Sequence, residues 1–266
     1  MRTLGLRLLV NGLAVALLVA GCAVGPASTA SDQLMSPRQT LAGSPAEPLH
    51  LVALGDSFAA SQACECARFP DLYGQLAADA LGHPVLVQNR ATSGATSFDL
   101  VEALDSSPML RSLIEEADII TVSIGINDWA CDESVSERAC FERATAGLGT
   151  NLEALLSQID ALQRGHPHIL RATAYPNFLI ATPVPDELEA FHAFYAEQLA
   201  ALNATICAAV VAHDGLCVEL LTAFNGPSGD QDAAPLLVDD HVHPSREGHE
   251  TIAQEIAASG YAPLAP

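Results

Sequence analysis

Ser57 sits in the run Gly55-Asp56-Ser57, and Asp240-His241-Val242-His243-Pro244 lies near the far end of the chain. A serine hydroxyl is a poor nucleophile until a base removes its proton, and a histidine imidazole is suited to that near neutral pH. An aspartate placed as Asp240 is, three residues before His243, can fold back onto the second ring nitrogen. There it fixes the tautomer and stabilises the imidazolium. Two more positions stand out between these segments: Gly94 in the stretch Asn89 to Ser97, and Asn127-Asp128 after Gly125. Taken singly, each has a plainer reading. Ser57 can be a turn residue capping a helix, and Asn127-Asp128 a loop capping pair. Asp239, Asp240, His241, His243 and His249 also offer a metal cluster, which would make the chain a metal-dependent hydrolase. Against it, the Ser57 segment lacks the second His or Asp that a dinuclear centre would place there.

Position along the chain decides between these readings. Leu49 to Leu54 is a short apolar run read as a buried strand ending at Gly55-Asp56-Ser57. Val85 to Val87 is a second strand. Asp118 to Gly125, β-branched and apolar on both faces, is a central parallel strand that delivers Asn127 to its carboxyl end. Ile169 to Ala174 and Leu216 to Leu221 are the fourth and fifth. Between them the spacing predicts helices over Phe69 to Leu81, Phe98 to Glu116 with a break near Pro108, Phe141 to Gln163, and Asp186 to Ala212. A last helix runs over Ser245 to Ala258, with Ser245 as N-cap. Strands alternating with helices define an α/β fold, a three-layer α/β/α domain around about five parallel strands in flavodoxin-like order. Ligands bind such sheets at the carboxyl ends of the strands, where Ser57, Gly94 and Asn127 all fall.

Gly55-Asp56-Ser57, Gly94, Gly125-Ile126-Asn127-Asp128 and Asp240-x-x-His243-Pro244 resemble, in family order, the four blocks of the SGNH/GDSL hydrolases. Phe58 replaces the leucine common in that family, an apolar exchange that leaves the chemistry untouched. The resemblance implies an esterase or lipase with Ser57 as nucleophile, His243 as base and Asp240 as its orienting partner. It assigns the oxyanion hole to the backbone N–H groups of Ser57 and Gly94 and the side-chain amide of Asn127. It implies no cofactor and no metal, and a small-molecule or glycan ester as substrate, either an acyl lipid or an acetylated carbohydrate. A noncatalytic binding lipoprotein on the same fold would be expected to have lost nucleophile or base, yet both are present. No Gly-x-Ser-x-Gly elbow occurs, which argues against the ordinary α/β-hydrolase fold. Trp129, beside the Asn-Asp pair, either walls the substrate site or packs its loop, and His249 on the last helix reads as structural or surface.

The 266 residues carry a net charge of -21 and no lysine. Nucleic acid is therefore excluded as a partner, because neutralising phosphates needs a cationic face. Phosphate loops ending in Gly-Lys-Ser/Thr and Schiff-base chemistry fall with the missing lysine. We expect a monomer with an acidic, well-solvated surface.

Arg2 and Arg7 precede the apolar run Leu8 to Ala20, and Val19-Ala20-Gly21-Cys22 follows the pattern of a bacterial lipobox. Residues 1–21 read as a lipoprotein signal peptide, with Cys22 lipidated and holding the protein on the outer face of the cell membrane; a secreted form is the alternative. Residues 22–48, rich in Ala, Ser, Thr, Pro and Gly, read as a flexible tether, and 49–266 as the hydrolase domain. Cys64, Cys66, Cys131, Cys140, Cys207 and Cys217 remain, an even set in an exported chain. Loop closure favours Cys131–Cys140 and Cys207–Cys217. That leaves Cys64–Cys66 across a small ring, with a crossed pairing into the Cys131 to Cys140 loop as the alternative.

Overall fold

β1 (Leu49–Gly55) is buried from Leu51 onward on both of its faces, which is why its sequence is a continuous apolar run rather than an alternating one. In the computed structural model, residues 47–60, 63–130, 137–180 and 186–265 are described, all within the unit Gly43–Pro266. The signal segment, Cys22, nearly all of the tether, and Cys131 lie outside the described residues. β1 pairs in parallel with β2 (Val85–Asn89) on one side and β3 (Ile119–Ser123) on the other. β4 (Ile169–Thr173) pairs with β3, and β5 (Leu216–Val218) with β4. The five-stranded order is thus β2-β1-β3-β4-β5, the flavodoxin-like arrangement that the alternation of elements implies.

Eight α-helices are described. α1 (Ser57–Ala60), α2 (Phe69–Leu81), α3 (Ser97–Ser106) and α4 (Pro108–Glu115) precede β3. α5 (Glu137–Gln163), α6 (Asp186–Ala212), α7 (Leu221–Asn225) and α8 (Arg246–Ala258) follow it. α2 and α7 pack on α8, whereas α3, α4 and α6 pack on α5, so the helices form two layers, one on each face of the sheet. Local chemistry sets the helix ends. Thr96 and Asp99 make a capping box at the start of α3. Ser107 ends α3 and caps α4, with Pro108 at the first helical position, so the expected break at this proline is a cap-to-cap junction. Ser245 Oγ accepts the Gly248 N–H at 3.2 Å and starts α8.

The fifth strand is shorter than the Leu216 to Leu221 run expected from its apolarity. Leu220 and Leu221 open α7, whose Phe224 is buried against Phe58 at a centroid distance of 6.5 Å. Arg171 on β4 ties the end of α8 to the sheet, donating from Nε to Ser259 Oγ at 2.7 Å and from Nη2 to the Gly260 carbonyl at 2.8 Å.

His213, just after α6, reaches across to α5. Its Nδ1 lies 2.6 Å from Asp160 Oδ2 and its Nε2 3.2 Å from Glu153 Oε2. Burial works against the charged ring, but the two carboxylates outweigh it and hold the His213 pKa above its ordinary 6.5. A raised folded-state pKa means the latch stabilises fully below the unfolded value and fades as pH rises through the folded one. Chemical denaturation of wild type and His213→Gln should therefore differ most near pH 5 to 6 and converge by about pH 9. A gap that widens on the alkaline side would contradict the ion-pair origin.

Candidate active site

Ser57 is the first residue of α1, directly after β1. The preceding Asp56 acts as the cap: its Oδ1 accepts the Phe58 N–H at 2.8 Å, and its carbonyl accepts the Ala60 N–H at 2.9 Å. The cap thus takes the N–H groups of Phe58 and Ala60 and leaves that of Ser57 itself unspent among the described residues. Gly55 lies so close to β3 that a Cβ there would run into the Ser123 carbonyl, and the Asp56 N–H donates to that same oxygen at 3.0 Å. The glycine of this block is required by close approach of two strands.

Asp56 is fully buried, and its Oδ2 accepts the Tyr175 hydroxyl at 2.5 Å. Burial pushes its pKa up to about 6, opposed by the Tyr175 and Phe58 hydrogen bonds and by the positive charge available to His243. His243 therefore lies within electrostatic reach of the residue next to Ser57.

The segment carrying Gly94 continues the β1–β2 ladder beyond the strand proper. The Arg90 N–H donates to the Ala53 carbonyl at 2.8 Å and the Thr92 N–H to the Gly55 carbonyl at 2.9 Å. A turn closed by Ala95 N–H on the Thr92 carbonyl at 3.1 Å then holds Gly94 at φ +80. This is a left-handed conformation that glycine adopts without penalty. Asn89 braces the start of the segment, its Nδ2 donating to the Ala59 carbonyl of α1 at 2.9 Å.

Asn127 follows β3 in a 3-10 turn (Ile126–Trp129), and its Nδ2 donates to the Ala95 carbonyl at 2.9 Å. An amide nitrogen carries two hydrogens, so one remains for a ligand. Its neighbour Asp128 accepts from the Ser97 backbone N–H at 3.0 Å and from Ser97 Oγ at 2.5 Å, which Asn151 Nδ2 also contacts. Ser57, Gly94 and Asn127 are thus brought to one end of the sheet, and Asp128 is the brace that seats the start of α3 on the Asn127 turn. Trp129 packs the loop through Thr145, Phe141 and Tyr195 while remaining half-buried.

Asp240 and His243 lie in the turn before α8. Asp240 Oδ1 accepts the backbone N–H groups of Val242 and His243, each at 2.9 Å, and Oδ2 lies 2.7 Å from His243 Nδ1. Partial burial raises the Asp240 pKa, but these hydrogen bonds from His243 and Val242 prevail and keep the carboxyl below its ordinary range. The turn is closed at its base by His243 O accepting from Val238 N–H at 2.9 Å. The arrangement holds Nδ1 on the carboxylate, and Nε2 has no partner among the described residues.

His249 is buried, its Nδ1 accepting the Phe69 N–H at 3.2 Å, and burial lowers its pKa to about 4. It locks α8 to α2. Among the described residues two donor groups converge closely, Cys64, Cys66 with His249 and Cys207, Cys217 with Glu219, and neither draws on Asp239 to His243. In both groups the cysteines are joined as disulfides, Cys64–Cys66 and Cys207–Cys217, so neither offers thiolates. Cys140 is also disulfide-bonded, while Cys131, its expected partner, falls outside the described residues.

A flavodoxin-order parallel sheet with a capped serine, a glycine turn and an asparagine at its carboxyl end, and an Asp–His turn before the last helix, is the architecture of an SGNH-type α/β hydrolase. Residues 53–251 match the model of the GDSL-like lipase/acylhydrolase family, and the chain belongs to that family. It is a carboxylic ester hydrolase. Its structure is similar to that of the lipase Lip_vut3 from a goat rumen metagenome, with TM-score 0.67 and 20% identity over 81% of this chain and 99% of that one. Phospholipase A1 from Streptomyces albidoflavus NA297 superposes with TM-score 0.58 and 18% identity over 79% of this chain and 99% of that one. A catalytic mutant of Axe2, an acetylxylan esterase from Geobacillus stearothermophilus, gives TM-score 0.57 and 16% identity over 80% and 94%. No curated protein matches the chain at a significant level.

Two functional supports escaped sequence reasoning, Tyr175 and Asn89. Tyr175 contacts Asp56 across 119 positions of sequence, and its one visible signal is a polar aromatic immediately after an apolar strand. The Tyr175 hydroxyl stabilises the charged form of Asp56, so its removal raises the Asp56 pKa further. Tyr175→Phe should therefore cost about 1–3 kcal/mol at pH 8. It should cost less at pH 5, below the pKa of about 6, where Asp56 is protonated. Equilibrium unfolding at both pH values measures this, and an equal loss at the two would remove the carboxylate from the explanation.

Proposed function

We propose that Ser57, His243 and Asp240 form a catalytic triad that hydrolyses carboxylic esters through an acyl-enzyme, with acyl lipids or acetylated carbohydrates as the substrate classes. The observation that carries this reading is the 2.7 Å contact of Asp240 Oδ2 with His243 Nδ1, on a turn whose charge reaches Asp56 beside Ser57. Ser57 Oγ attacks the ester carbonyl carbon as His243 Nε2 takes its proton. The tetrahedral oxyanion is met by the N–H groups of Ser57 and Gly94 and the remaining amide hydrogen of Asn127. Collapse breaks the bond to the alcohol oxygen, which leaves with the proton from His243. Water then attacks the acyl-Ser57 carbonyl, again deprotonated by His243, and the carboxylic acid departs as Ser57 recovers its proton.

The relatives named above include a lipase, a phospholipase A1 and an acetylxylan esterase, which supports both substrate classes. We further read the chain as an exported monomer held at the outer face of the membrane through Cys22. The signal-like run before that cysteine supports this, and labelling with a radioactive fatty acid, abolished in Cys22→Ser, would test it.

Ser57→Ala should lower hydrolysis of 4-nitrophenyl acetate by at least about 10³-fold, and Asn127→Ala by about 10²- to 10³-fold, chiefly in kcat. A chelator should leave the rate unchanged. Retained activity in Ser57→Ala together with loss on chelation would instead assign the reaction to a metal bound at Asp239 to His243.

A further inference from the structure

A cleft of about 350 Å³ lies between α5 and α6, within the size of about 300–1,000 Å³ usual for small-ligand sites. Glu142 and Thr145 wall it from α5 and Gln198 and Thr205 from α6, with Gly149 and two alanines between them. None of Ser57, Gly94, Asn127, Asp240 or His243 lines it, so it is separate from the proposed triad and its oxyanion donors. It abuts them at one point. Thr145 Oγ1 accepts the Trp129 Nε1–H at 3.1 Å, and Trp129 ends the 3-10 turn that carries Asn127.

Gln198 is only 4% exposed, yet its side-chain amide makes no hydrogen bond among the described residues. Burial of an amide with both its carbonyl and its NH2 unpaired is unfavourable, and the bonds given up are returned only by a partner inside the cleft. The neighbouring groups also have capacity to spare. Thr145 uses its oxygen on Trp129 and has no acceptor for its hydroxyl proton among the described residues. Thr205 spends its proton on the Ala201 carbonyl at 2.9 Å and keeps its oxygen as an acceptor. The exposed Glu142 carboxylate forms no salt bridge among the described residues, because Arg138, one turn earlier on α5, is held by both oxygens of Glu197 at 2.7 and 2.9 Å.

The sign of the occupant follows from the lining. Its one charged side chain is Glu142, in a chain of net charge -21, so an anion is repelled and a cation drawn in. Glu142, Gln198 Oε1 and Thr205 Oγ1 are acceptors suited to ammonium N–H groups. The Gln198 NH2 and the Thr145 hydroxyl are donors that an ammonium group cannot meet, and they require an oxygen. A plain hydrocarbon amine leaves those donors unpaired, and an uncharged polyol forgoes the carboxylate.

We propose that the cleft between α5 and α6 is a binding site for a small hydroxylated organic cation, an amino alcohol, and that Glu142 and Gln198 select it. The carboxylate and the amide oxygen take the ammonium protons, and the ligand hydroxyl accepts from Gln198 Nε2 and Thr145.

Three molecules of matched shape test this at pH 7 and constant ionic strength: diethanolammonium, dipropylammonium, which lacks the hydroxyls, and diethylene glycol, which lacks the charge. Saturation-transfer NMR measures contact and Kd, and the emission of Trp129, the only tryptophan in the chain, reports occupancy next to Thr145. Diethanolammonium should bind saturably and shift that emission, with a Kd at least about fivefold below those of the other two. Gln198→Leu and Glu142→Gln should each weaken it about tenfold, while changing hydrolysis of 4-nitrophenyl acetate by less than about twofold, which shows that they are folded. Glu142 is exposed, so its variant carries the test even where Gln198→Leu fails to fold. No contact with diethanolammonium, which leaves a merely hydrated cleft, equal binding of all three molecules, or unchanged binding in either folded variant would overturn the proposal. So would binding that leaves the Trp129 emission unmoved, since the ligand would then lie elsewhere. The readout is binding, so a failure of the triad, seen as Ser57→Ala that still cleaves the aryl ester, leaves this result unaffected.

Discussion

Asp56 has no exposure to solvent, and an ionised carboxylate in such a place is costly unless its oxygens are filled. Here Oδ1 takes the Phe58 N–H and Oδ2 the Tyr175 hydroxyl. The first bond starts α1 and so fixes where Ser57 points. The second joins the end of β1 to the segment after β4, across the intervening β3. Because the charge of His243 also favours the ionised form, the support of Ser57 and the loop of His243 are electrostatically linked. The placement of Ser57 thus follows from how one buried carboxyl is satisfied, and the hydroxyl itself is free of that duty.

Gly94 and Asn127, the proposed oxyanion donors, are held by backbone rather than by long side chains. The ladder between β1 and β2 runs on past Asn89 as far as Thr92, so Gly94 sits on an extension of the sheet instead of on a loose loop. Asn127 is then pinned to that extension through the Ala95 carbonyl, and Asp128 anchors the same turn to Ser97. Groups whose rotamers are locked in this way need little reorganisation when charge develops in a transition state. The Asp-x-x-His turn obeys the same logic, since Asp240 binds the backbone of His243 as well as its ring.

Much of this was legible in the sequence because its causes are local. β1 and β3 are continuous apolar runs, and a strand buried on both faces has no other way to read. The break at Pro108, the Ser245 cap and the spacing of Asp240 to His243 are likewise decided within a few residues. What escaped depends on partners far along the chain. Tyr175 and Asp56 meet only after β4 is laid beside β3, and Asn89 meets α1 only once β2 pairs with β1. The fifth strand is shorter than its apolar run because Leu220 is buried at the cap of α7 rather than in the sheet, and Leu221 already belongs to that helix. Apolarity marks burial, and burial alone does not distinguish a strand from the helix that follows it.

The charge of -21 acquires a direction once the reaction is considered. A neutral ester approaches without electrostatic help or hindrance, so the acidic surface does not select it. The proposed products are a neutral alcohol and a carboxylic acid that ionises near neutral pH. That acid is formed in a site where Asp56 and Asp240 already carry or share negative charge, at the mouth of a protein whose field repels anions. Repulsion that is absent for the substrate and present for the product favours turnover over product inhibition, and it weakens as salt shortens its range. The acidity is then compatible with esterase chemistry for the same reason it is incompatible with nucleic acid: it acts on ligands that carry negative charge, and the ester acquires one only after it has been cleaved.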